Sequence, residues 1–138
     1  MSPRDVTRLL GVHPRLVTIM HAVLAAMEAA DHPMFVIEGL RSTERQRSLY
    51  AIGRTSPGTL VTYKDGITHR SNHQTHADGL GYAVDCAFID KEPFSLVHPW
   101  ETYGEQLELA GAKWGGRWRM NDLEHAELPD EPTQLKKV

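Results

Sequence analysis

The chain has 138 residues, 41% of them hydrophobic and 24% charged, proportions that fit one globular domain with a single core. A net charge of −3 argues against a domain built to grip a polyanion, so nucleic acid is not the expected partner. The single cysteine, Cys86, rules out an internal disulfide and fits folding in a reducing compartment, and no stretch approaches the roughly 18 apolar residues of a membrane span.

Ser2 and Pro3 read as the N-cap and first turn of a short helix, with Val6, Leu9 and Leu10 on its inner face and Gly11 near its end. From Pro14 to about Ala30, Leu16, Met20, Val23, Leu24 and Met27 recur at spacings of three and four, which predicts a second helix whose methionines fill the core. Met34, Phe35, Val36 and Ile37 form a short apolar strand that runs into Glu38-Gly39-Leu40-Arg41 and delivers Arg41 to its end. Ser42 or Thr43 then caps a helix that continues to about Ile52 and stops at Gly53, with Gln46 at capping-box spacing from Thr43.

The polar, turn-rich stretch from Thr55 to Asn72 predicts a long loop or irregular hairpin at the border of a cleft. Tyr82 to Ile89 reads as a central strand in which Cys86 is a small buried hydrophobe. A helix from Trp100 to Ala110 closes at Gly111, Trp114-Gly115-Gly116 makes a tight turn, and His125 begins a last strand. Residues 1–128 are thus expected to form one domain and 129–138, with two prolines, a surface tail. The N-terminus lacks the basic region and apolar run of a signal peptide.

Three side chains carry the chemistry. His73, Asp85 and His125 offer two imidazoles and a carboxylate, enough to hold one catalytic Zn²⁺ per chain and leave a coordination position for water. Asp122 stands three residues before His125, where it can act as general base without ligating the metal. The other histidines at 13, 21, 32, 69 and 98 are read as surface or capping residues.

In order, Gly39-Leu40-Arg41-Ser42 with Gln46, Ser71-Asn72-His73, Gly81-Tyr82-Ala83-Val84-Asp85, Trp114-Gly115-Gly116 and Asp122-Leu123-Glu124-His125 resemble the zinc D,D-peptidase family. That group includes D-alanyl-D-alanine carboxypeptidases and phage L-alanyl-D-glutamate peptidases. The resemblance covers about Phe35 to Glu127. It implies an α+β fold, a small antiparallel sheet with helices packed on one side. It also implies that Arg41 stabilises substrate or transition state, that Gln46, Ser71 and Trp114 border the substrate, and that Glu127 orients a ligand from behind. All but Ser71 have a plainer alternative: capping for Gln46, core for Trp114 (as for Trp118, the other candidate for the cleft), a solvated strand edge for Glu127, a surface ion pair for Arg41.

The chain departs from the family at one place. The family spaces the first histidine and the aspartate seven apart, whereas His73 and Asp85 are twelve apart. Omitting residues 76–80 restores the pattern, so a five-residue loop insertion is expected, at small entropic cost. His76 and Asp78 are the competing ligands. The resemblance implies a monomeric peptidoglycan stem-peptide hydrolase with no membrane insertion, released as an endolysin through a holin. A D-alanyl-D-alanine carboxypeptidase and a zinc-bearing binding domain without turnover are the alternatives.

Overall fold

The computed structural model describes residues 1–129, so the expected tail falls, Pro129 apart, outside the described residues. Helix α1 (Pro3–Arg8) begins at a closed capping box in which Ser2 Oγ accepts the Asp5 N–H and Asp5 Oδ2 accepts the Ser2 N–H. Its expected inner face is only partly inner: Leu9, just past its end, is buried, whereas Val6 and Leu10 are 50% and 69% exposed. Polar contacts seat the helix instead. Buried Asp5 accepts the Val36 N–H at 2.8 Å and Arg8 donates to the Val36 carbonyl at 2.8 Å. Together they satisfy part of the outer edge of strand β1 (Met34–Glu38), which would otherwise offer a template for foreign pairing.

Helix α2 (Pro14–Ala29) turns the anticipated stripe inward, with Ile19 added to it. It packs on α4 (Trp100–Leu109), which buries Trp100, Tyr103 and Leu107. The sheet is antiparallel in the order β1-β2-β4-β3, where β2 is Ala83–Phe88, β3 is Lys113–Trp114 and β4 is His125–Glu127. The expected tight turn at Trp114 is thus the end of a two-residue strand followed by a 3-10 turn, Gly115–Arg117. Pairing of Trp114 with Ala126 is a tertiary event that local turn chemistry does not reveal.

Strand alternation assigns the two faces of the sheet. Val84, Cys86 and Phe88 are buried, and the Phe88 ring lies 4.8 Å from that of Trp100 of α4, so these three alternate positions face the helices. Asp85 therefore points to the opposite face. Its partner in the register is His125, and that of Ala83 is Glu127, which puts Asp85, His125 and Glu127 on one face.

A bulge brings a fourth residue to that face. Val36 pairs with Cys86, but Glu38 pairs with Asp85, because the register shifts between Val36 and Glu38. Without the shift Glu38 would share the core face of Val36; the extra residue re-aims it at the site.

Helix α3 (Thr43–Ala51) is capped by Ser42, whose Oγ accepts the Arg45 N–H at 3.0 Å. After it the chain runs irregularly from residue 53 to 82, as expected for the cleft border, and two buried glutamines hold this segment down. Gln46 Nε2 donates to the Lys64 carbonyl at 2.7 Å, and Gln74 Nε2 donates to the Gly66 carbonyl at 3.0 Å.

Candidate active site

Asp85 lies between two imidazoles. His73 Nε2 is 3.2 Å from Asp85 Oδ2, and His125 Nδ1 is 3.2 Å from Asp85 Oδ1. One donor atom from each residue falls within 4.8 Å of the others. The remaining ring nitrogens are committed. His73 Nδ1 lies 2.9 Å from the Gly39 carbonyl, which can only accept, so Nδ1 carries a proton and Nε2 is the nitrogen turned toward Asp85. His125 Nε2 lies 2.8 Å from Glu127 Oε1, which turns Nδ1 toward Asp85. Metal-binding histidines are fixed in this way by a carbonyl or carboxylate on the far nitrogen, and the mixed N/O donor set suits zinc. The residues present therefore fit the ion.

Close packing supports this geometry. A Cβ on Gly39 would sit 2.5 Å from the Arg8 carbonyl, so only glycine lets the strand end approach α1 while offering its own carbonyl to His73. Asn72 Nδ2 donates to Glu127 Oε2 at 3.0 Å, tying the His73 loop to the strand that bears His125.

Charge is concentrated here. Burial alone would raise Asp85, but the His73 charge and bonds from both histidines hold its carboxyl well below the usual range. Burial would lower His125, yet its bonds to Asp85 and Glu127 carry it up to about 10 in the metal-free protein. Glu127 is lowered against its burial by the bond to His125.

Asp122 and His125 share a turn closed by the His125 N–H on the Asp122 carbonyl. Asp122 Oδ2 is 3.8 Å from His125 Nδ1, beside the donor cluster without belonging to it. Burial, and next the negative charge of Asp85, raise Asp122 above the ordinary carboxylate range. Its neighbour Glu124 is pushed up to about 7 by burial and then by Asp122.

Arg41 is held as a fixed cation. Nε and Nη2 donate to Glu38 Oε1 at 2.9 and 2.6 Å, Nη1 donates to Gln46 Oε1 at 2.9 Å, and Nη2 is 3.6 Å from Asp85 Oδ2. Glu38 is a site residue that the sequence reading missed. An acidic residue three before an arginine at a strand end was its only local sign.

The donor cluster opens onto a cleft of ≈ 690 Å³, within the usual range for a ligand site. Arg41, Ser71, His73, Asp85, Asp122 and His125 line it. Ser71 reaches it while its Oγ accepts the His73 N–H at 3.2 Å.

Two expected substrate contacts lie elsewhere. Gln46 is fully buried and absent from the cleft wall; its amide is spent on Arg41 and on Thr62 and Lys64 of the loop. Trp114 is only 4% exposed, its Nε1 donating to the Leu123 carbonyl at 2.7 Å. It fills a slot between two glycines, where a Cβ on Gly104 or Gly116 would stand 2.1 or 2.2 Å from its ring. Trp118 takes the cleft position, its ring 4.9 Å from that of His125.

His76 and Asp78 turn away from the donor cluster. The His76 ring stacks on Tyr82 at 3.6 Å, and the Tyr82 hydroxyl donates to Asp78 Oδ2 at 2.7 Å. The His76 N–H bonds the Leu80 carbonyl and the Gly79 N–H the His76 carbonyl, so residues 76–80 close on themselves beside the strand.

No protein-family model matches the chain. It is 32% identical over 130 residues to the peptidoglycan L-alanyl-D-glutamate endopeptidase CwlK of Bacillus subtilis, covering 85% of this chain and 73% of that one. The fold is similar to that of the L-Ala D-Glu endopeptidase ChiX of Serratia marcescens, with a TM-score of 0.56, 26% identity and coverage of 93% and 88%. It is also similar to the vancomycin-resistance D,D-pentapeptidase VanY in complex with Zn(II), with a TM-score of 0.57, 16% identity and coverage of 91% and 76%. With this identity extending over most of both chains, the protein belongs to the zinc D,D-peptidase family and is a metallopeptidase.

Proposed function

We propose that this protein is a zinc-dependent endopeptidase that hydrolyses the L-alanyl-D-glutamate bond of peptidoglycan stem peptides. The observation that carries the reading is the convergence of His73, Asp85 and His125 in an open cleft, with Asp122 beside them. One ion per monomer completes the site.

Zinc held by these three residues supplies a Lewis acid and a water whose pKa falls from roughly 15.7 to about 7. Asp122 Oδ2 takes a proton from the attacking water and returns it to the leaving nitrogen of L-alanyl-D-glutamate. A raised carboxyl suits both halves of that exchange, being basic enough to accept and acidic enough to give back. Arg41, immobilised by Glu38 and Gln46, presents positive charge where the carbonyl oxygen becomes anionic. Glu127 and the Gly39 carbonyl keep the two imidazoles in register.

The test is digestion of purified sacculi followed by mass identification of the products. New L-alanine C-termini and D-glutamate N-termini, abolished by chelator and restored by zinc, are expected. Release of free D-alanine alone would replace the endopeptidase with a carboxypeptidase, and zinc binding without cleavage would leave a binding domain.

As part of the same proposal, the enzyme serves a phage or prophage as an endolysin and reaches the wall through a holin pore. No helix among the described residues is long and apolar enough to cross a membrane. Cytoplasmic expression should lyse cells only when a holin is co-expressed; lysis without one would refute the route.

A further inference from the structure

The cleft carries two kinds of cation. Arg41 is ion-paired with Glu38 and lies 3.6 Å from Asp85. Lys64 and Arg70 also line the cleft, are exposed, and have no carboxylate at ion-pair distance among the described residues. Neutral oxygens aim the Arg70 guanidinium: Nη1 donates to the Gly66 carbonyl at 3.4 Å, and Nη2 to the Thr75 carbonyl at 3.1 Å and to Thr75 Oγ1 at 3.4 Å. The side chain is thus positioned with its charge intact, six residues after Lys64 in the same irregular segment. The backbone beneath is fixed as well, since the Lys64 and Gly66 carbonyls receive the buried amides of Gln46 and Gln74. The one acid in this stretch, Asp65, is spent on the Ile67 and His69 N–H groups and does not line the cleft.

The acids that line the same cleft, Asp122 and Glu124, form no ion pair with Lys64 or Arg70 among the described residues. A ligand that leaves these two cations satisfied must bring an anion to them. A D-glutamate residue linked onward through one of its carboxyls keeps the other free, whereas an alanine in the interior of a peptide has none. We propose that Arg70, assisted by Lys64, forms a carboxylate subsite that reads the free carboxyl of the glutamate on the leaving side of the scissile bond. The inference rests on the endopeptidase reading and adds to it a determinant of specificity. A guanidinium fork matches a carboxylate better than an ammonium does, so Arg70 is the principal contact.

Two synthetic stem peptides test this, identical except that the free glutamate carboxyl is a carboxamide in one. The wild type is expected to cleave the carboxylate peptide with roughly ten- to a hundredfold higher kcat/KM, the scale of a charged hydrogen bond. Arg70→Gln should bring the ratio close to one, and Lys64→Gln should lower it a few-fold. The ratio is taken within each variant, so a loss of folded protein cancels. Should Arg70→Gln fail to fold, Arg70→Lys and Lys64→Gln decide. A wild type indifferent to amidation, or a ratio unchanged in the variants, overturns the subsite. If the wild type cleaves neither peptide, the endopeptidase reading falls, and titration of the D-glutamate product peptide and its amide separates the two ideas. Roughly tenfold tighter binding of the carboxylate, lost in Arg70→Gln, supports the subsite, and equal binding overturns it.

Discussion

Replacing Glu38 by glutamine tests whether the bulge in β1 exists to position a catalytic arginine. Glu38 Oε1 receives two Arg41 N–H groups at 2.9 and 2.6 Å, with the two side chains only 22% and 10% exposed. Glutamine keeps the volume and one acceptor oxygen but removes the charge. A hydrogen bond to a charged group contributes about 1.5–3 kcal/mol. Retention of the amide oxygen places the loss toward the lower end, about 1.5–2 kcal/mol. If that loss falls on the transition state alone, kcat drops roughly ten- to thirtyfold.

The assay is steady-state cleavage of an L-alanyl-D-glutamate peptide, with zinc stoichiometry and thermal midpoint measured on the same preparation. Glu38→Gln should lower kcat while KM and zinc content stay near the wild type. Arg45 supplies the control, since it reaches Glu38 Oε2 at 3.5 Å from a side chain 55% exposed. Exposed pairs of this kind contribute about 0–1 kcal/mol, so Arg45→Ala should be nearly silent. A kcat for Glu38→Gln within twofold of wild type, zinc retained, would refute the positioning argument. A fall in activity that only follows a fall in thermal midpoint would make Glu38 a folding residue.

Three further outcomes follow from the site. His73→Ala should abolish stoichiometric zinc binding while His76→Ala retains it, because His76 stacks on Tyr82 away from the donors; atomic absorption on the two variants decides. Asp122→Asn should keep its zinc and lose roughly 10²–10⁴ in kcat, the range for a general base; loss of zinc as well would make Asp122 a ligand. Zinc binding near pH 7.5 should release about one proton from His125, which holds its Nδ1 proton up to about 10 when metal-free and must surrender it to bind. Calorimetry in buffers of different ionisation enthalpy reads that proton. The sign for the metal-free protein follows from the same shift. A raised imidazole stabilises the fold fully below the unfolded value of about 6.5, and this contribution is lost as pH rises toward 10.

Much of this centre was legible in the sequence because its parts are local. A histidine beside a serine, an aspartate in an apolar strand and an acid three before a histidine are each short-range patterns, and the strand and helix periods place them to within a residue or two. The residues that went unread act through long-range contacts. Glu38 faces the site only because the β1–β2 register shifts by one, and no period-two pattern contains a bulge. Gln74 and Asn72 sit inside the motif segment, yet their partners are Gly66, Thr43 and Glu127, the last 55 residues away. Trp114 was placed at the cleft by its neighbours in sequence, whereas its slot is built by Gly104 and Gly116, one of them on another element. The same logic governs Lys64 and Arg70. In sequence they are two cations in a polar loop; that both line the cleft depends on a loop backbone tied down by two buried glutamines. The metal-binding chemistry is therefore written in short motifs, while the selectivity proposed for it depends on how an irregular segment is tied down.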